Sequence, residues 1–70
     1  MLPQEFTQAL ETMGIRTQQD ASHLLGISRS KVGEYKNGSR KIPAYIAASV
    51  RAHLLLTDEQ RSTLMKLALV

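Results

Sequence analysis

The chain is 70 residues long, which allows one domain, residues 1–70, and nothing larger. Apolar residues make up 43% of it, enough for a core and too many for a disordered chain. Nine Lys and Arg against six Asp and Glu leave a net +3, and the absence of Cys excludes disulfides and thiolate metal sites.

Five short helices are predicted in chain order. Pro3 suits the first helical position, where its missing N–H would be unpaired anyway. Phe6, Ala9, Leu10 and Met13 then form one apolar stripe, and Gly14 ends the helix. Thr17 caps a second helix, with Asp20 in its first turn and Ala21, Leu24 and Leu25 inward, stopped by Gly26. Ser28 caps a third, with Val32 and Tyr35 inward and Asn37-Gly38 as its stop. A basic loop leads to Pro43, which begins a fourth helix running to about Leu56, with Ile46, Ala47, Val50 and Leu54 as its core stripe. Thr57-Asp58-Glu59-Gln60 reads as a capping box that opens a fifth, carrying Leu64, Met65, Leu67 and Ala68. No β-branched alternating run occurs, so the fold class is all-α, with no sheet.

No apolar run approaches the roughly 18 residues that span a bilayer. The N-terminus lacks a basic stretch followed by an apolar core, so no secretory signal is expected and the cytoplasm is the expected compartment. A chain of this size buries only about 60% of the surface its unfolded form exposes, so a small domain without Cys commonly gains stability by oligomerising.

The positive charge is concentrated. Between Ser28 and Lys41 stand Arg29, Lys31, Lys36, Arg40 and Lys41 against Glu34 alone, whereas elsewhere acidic residues slightly outnumber basic ones. A basic patch on a near-neutral body suits a polyanion. A solvated loop carrying a few lysines is the plainer alternative.

Residues Gln18 to Gly38 have the layout of a helix-turn-helix: a helix of about eight residues, a short turn and a second short helix. Small Ala21 and Ser22 stand where the second helix must approach. Gly26 stands where the turn needs positive φ, and Ile27, Val32 and Tyr35 stand where the motif points inward.

The stretch Asp20-Ala21-Ser22-His23-Leu24-Leu25-Gly26-Ile27-Ser28-Arg29-Ser30-Lys31-Val32-Gly33-Glu34-Tyr35-Lys36-Asn37-Gly38 resembles the helix-turn-helix of lambda repressor-like and Cro-like DNA-binding proteins. The resemblance runs from about Thr17 to Leu56 and takes in Pro43-Ala44-Tyr45-Ile46-Ala47-Ala48. It implies a compact five-helix domain that binds double-stranded DNA as a homodimer, usually at palindromic operators.

The residues agree with that implication. A recognition helix meets base edges with its N-terminal part, here Ser28, Arg29 and Ser30. Arg29 can donate two parallel hydrogen bonds to guanine. Gly33 allows close approach to the bases, and Glu34 can accept from cytosine, repel phosphates or pair with Lys31 or Arg40. Lys31, Lys36, Asn37, Arg40 and Lys41 are placed to meet phosphates, and Gln18 and Gln19 can offer amides and backbone N–H groups to another. Ser28 doubles as a cap, and Asn37 as a helix stop.

Other chemistry finds little support. His23 and His53 lie on separate helices without partners at ligand spacing, so no metal site is expected. There is no Cys nucleophile, phosphate-binding glycine loop or apolar carboxylate pair, and no room for a pocket of the usual size. No catalysis, cofactor or small-molecule ligand is expected. The apolar C-terminus suggests a dimer interface: with Leu64, Leu67 and Ala68 facing the domain's own core, Met65, Leu69 and Val70 fall to the other side. The expected function is transcriptional regulation, most simply repression by promoter occlusion. An antitoxin that also grips a toxin, and a helical interaction module without DNA binding, are the competing readings.

Overall fold

The computed structural model describes residues 1–68. Five helices follow one another: α1 (Pro3–Thr12), α2 (Gln18–Leu25), α3 (Arg29–Asn37), α4 (Ala44–Leu54) and α5 (Asp58–Ala68). Among the described residues there is no strand. The fold is all-α, as expected.

Local chemistry sets the helix starts. Pro3 is the first residue of α1, and the Leu2 N–H donates to Glu5 Oε1 at 2.9 Å. Thr17 Oγ1 accepts from the Asp20 N–H at 3.1 Å to start α2, and Ser28 Oγ from the Lys31 N–H at 3.2 Å to start α3. Ahead of α5 the capping box closes in both directions: Thr57 Oγ1 accepts from Gln60 N–H and Gln60 Oε1 from Thr57 N–H. Between α2 and α3 the chain turns at Gly26, whose φ of 68° is the left-handed conformation that side chains disfavour. The Ile27 N–H then donates to the Ser22 carbonyl, and Ile27 packs against the core.

α1 packs on α3 and α4, and α2 on α3, α4 and α5. Phe6, Leu10, Val32, Tyr35, Ile46 and Val50 are sealed at their centre. The Phe6 and Tyr35 rings meet edge to face with centroids 5.7 Å apart, a favourable arrangement of their quadrupoles. Ala21 is fully buried and Ser22 nearly so, its hydroxyl donating to the Gln19 carbonyl at 2.7 Å.

Three expectations need correction, and Ile42, just after the basic loop and given no inward place by the sequence, is a core residue. α4 ends at Leu54 rather than near Leu56. Leu54 is exposed, and His53 is buried in its stead, with Nδ1 2.7 Å from the Ser49 carbonyl oxygen. Finally, α5 is turned about its axis relative to expectation: Met65 packs against the core, while Leu64 and Leu67 face outward. The reason is Arg61, one turn before Met65, which is buried against the end of α4. Of the remaining expected interface, Leu69 and Val70 lie outside the described residues, as does the side chain of Ala68.

Candidate nucleic-acid interface

α3 is amphipathic in a simple way. Val32 and Tyr35 are buried and anchor it; Arg29, Ser30 and Lys31 are exposed, and Gly33, Glu34 and Lys36 are half-buried. Its first turn is held by the Ser28 cap, so Ser28 acts through its hydroxyl as a helix start. At the other end Asn37 Oδ1 accepts from the Ser39 N–H at 2.8 Å and Gly38 takes a φ of 82°, which makes Asn37 the first residue of a turn.

Arg29 lies in a groove between the start of α2 and the start of α3, lined by Thr17, Gln18, Gln19, Asp20 and Arg29. The structure therefore brings Gln18, Gln19 and Arg29 together. The Gln18 side chain lies over Gly33. Lys36 sits apart from this group, beside α1, where it lines a shallow groove with Pro3, Gln4, Thr7, Gln8 and Glu11.

Glu34 pairs with Arg40: the guanidinium Nε donates to Glu34 Oε2, and the Arg40 N–H donates to the Glu34 carbonyl at 3.3 Å. Of the roles open to Glu34, pairing with Arg40 is the one observed. The hydrogen bond, and then the charge, of Glu34 raise the Arg40 pKa further above its ordinary value. The pair folds the basic loop back onto the end of α3. Lys41 follows it, exposed, and the next residue, Ile42, anchors the loop in the core.

Sequence reasoning passed over two features of this surface. Asp20 brings a carboxylate into the Arg29 groove; the sequence signal was its place in the first turn of α2, beside the two glutamines. Tyr45, at the start of α4 just after the basic loop, is 66% exposed. Its outward direction follows from the inward stripe of Ile46, Ala47 and Val50.

Among the described residues no group of His, Asp or Glu side chains is arranged to hold a metal ion, and no helix is long and apolar enough to cross a membrane. The chain matches no protein-family model, no curated protein and no solved structure.

Proposed function

We propose that the protein is a small sequence-specific DNA-binding transcriptional regulator, a lambda repressor-like domain with a helix-turn-helix formed by α2 and α3. In this reading it acts as a homodimer on a palindromic operator and represses by occluding a promoter. The observation that carries the reading is the position of Arg29: exposed on the first turn of an anchored helix, in one groove with Gln18 and Gln19, within the window that holds the positive excess. An α-helix fits the major groove, and cations flanking it neutralise phosphates on either side.

The roles divide accordingly. Arg29 and Ser30 meet base edges. Lys31, Lys36 and Lys41 meet phosphates, and Arg40 does so with its charge partly offset by Glu34. Two copies joined through the outward Leu64 and Leu67 present two recognition helices to successive major grooves about 34 Å apart.

The deciding experiment is a mobility shift on random duplex at several salt concentrations. Phosphate-driven binding loses affinity linearly in log[salt], with a slope of about 0.9 per phosphate contacted. A slope of about three per protomer, and about twice that for the dimer, is expected from Lys31, Lys36, Lys41 and Arg40. An apolar interaction module would show neither binding nor the slope, and that result would refute the proposal.

A further inference from the structure

Gly33 sits inside α3, and its φ is not among the positive ones. No turn explains it, and glycine is disfavoured within a helix. The explanation on view is steric. A Cβ at position 33 would stand 3.0 Å from Gln18 Nε2 and 3.5 Å from Gln18 Cδ and Oε1. A side chain at 33 would oblige the Gln18 carboxamide, the far end of a flexible side chain, to shift by a few tenths of an ångström.

The placement has a direction. Gly33 follows Arg29 by four residues and so shares its side of α3. Gln18 and Arg29 also line one groove. The Gln18 amide is thus drawn from the start of α2 onto the same ridge of α3 that bears Arg29. The contact holds the amide beside the recognition helix itself. A carboxamide carried on that ridge offers one donor and one acceptor side by side, the pattern that pairs with N7 and N6 of adenine in the major groove.

We infer that Gln18 is a specificity-determining residue that reads an adenine, with Gly33 as the seat that positions its amide. This rests on the DNA-binding reading and assigns Gln18 a base edge instead of a phosphate.

The test is selection from random duplex by the wild type, followed by competition binding of Gln18→Ala, Gly33→Ala and the double variant on the selected site and its single-base changes. Gln18→Ala should abolish an adenine preference of about tenfold at one position per half-site. That position should differ from the guanine whose preference Arg29→Ala abolishes. Gly33→Ala should weaken the same adenine preference, since the added methyl displaces the amide, and should melt no lower than the wild type. In the Gln18→Ala background, Gly33→Ala should change the preference no further. Gln18→Ala retaining every base preference while losing affinity for all duplexes alike overturns the inference and leaves the DNA-binding reading intact. An additional, independent loss from Gly33→Ala in the double variant overturns the seat. A wild type that selects no sequence fails at the earlier step, in the reading on which this one rests.

Discussion

Arg61 Nε donates to the carbonyl oxygen of His53 at 3.0 Å, and that bond joins the last turn of α4 to the second turn of α5. The same guanidinium donates to the Leu56 carbonyl and to Asp58 Oδ1, both at 2.8 Å. One buried side chain thereby supplies donors to the carbonyls left over where α4 ends, and fixes which face α5 turns inward. Arg61→Met keeps the aliphatic stem but removes all three donors: the Leu56 carbonyl loses its partner, and the His53 carbonyl keeps only the Leu56 N–H. The expected cost is about 2 kcal/mol, a fall in Tm of about 10 °C for a domain this size. Arg61→Lys should not rescue it, because a single ammonium cannot reproduce the planar fork. Thermal melts followed by circular dichroism decide the matter; a Lys variant as stable as the wild type would show that the fork is not what holds the turn.

Gly26→Val isolates backbone strain. Nothing lies within 4 Å of where a Cβ would stand at Gly26, so the substitution meets no clash. Its φ of 68° is nevertheless a region that a β-branched residue avoids. A loss of about 1–3 kcal/mol is expected. Gly26→Asn should lose less, because Asn enters the left-handed region more readily. Equal stability of the Val variant and the wild type in urea unfolding would contradict the turn described here.

Glu34→Gln should strengthen binding to DNA of any sequence. The Glu34 carboxylate holds Arg40 and offsets its charge. Without that negative charge Arg40 is free to meet a phosphate, so affinity for random duplex rises and the salt slope steepens by about one contact. If Glu34 instead reads cytosine, Glu34→Gln will cost preference at one base pair and leave the slope unchanged. Fluorescence anisotropy titrations at three salt concentrations separate the two.

Arg29→Ala and Lys36→Ala should behave differently. If Arg29 reads guanine as proposed, the first costs about 1–3 kcal/mol at the selected site and relaxes preference at one base pair. The second removes a phosphate contact, weakening all sequences alike and flattening the salt slope by about one. Identical behaviour of the two variants on specific and random duplex would refute the division of roles.

Much of the fold was legible because its signals are local. Thr17, Ser28 and Thr57 cap helices through their own hydroxyls, and Phe6, Leu10, Val32, Tyr35 and Val50 lie inward at helical spacing. What escaped depends on contacts between elements. Ile42 is a core residue hidden among charged neighbours in a loop, where no periodicity marks it. The rotation of α5 was unreadable because Leu64, Met65 and Leu67 spread apolar area around the helix; a polar residue, Arg61, decides between the faces. The candidate site divides the same way. Arg29 is exposed on the turn that the Ser28 cap predicts. The seat of Gln18 on Gly33 depends on how closely α2 approaches α3, which no single helix encodes.

The last prediction concerns assembly. One recognition helix touches only a few base pairs, too few to single out a site in a genome. A two-fold dimer supplies two and adds their binding energies. Among the described residues an apolar surface suited to pairing is the outer side of α5, where Leu67 is 67% and Leu64 44% exposed. Together with Leu56 these residues line one groove, which a symmetric partner covers with its own. Leu64→Asp with Leu67→Asp should leave the domain folded, since neither side chain lies in the core, and shift it to monomer. Operator affinity should then fall by orders of magnitude although no residue facing DNA has changed. Leu55→Asp, 87% exposed and outside that groove, should keep the dimer and its affinity. Sedimentation velocity reads the first effect and anisotropy the second. A wild type that sediments as a monomer at high micromolar concentration, and still binds its selected site at one copy per site, would refute the dimer.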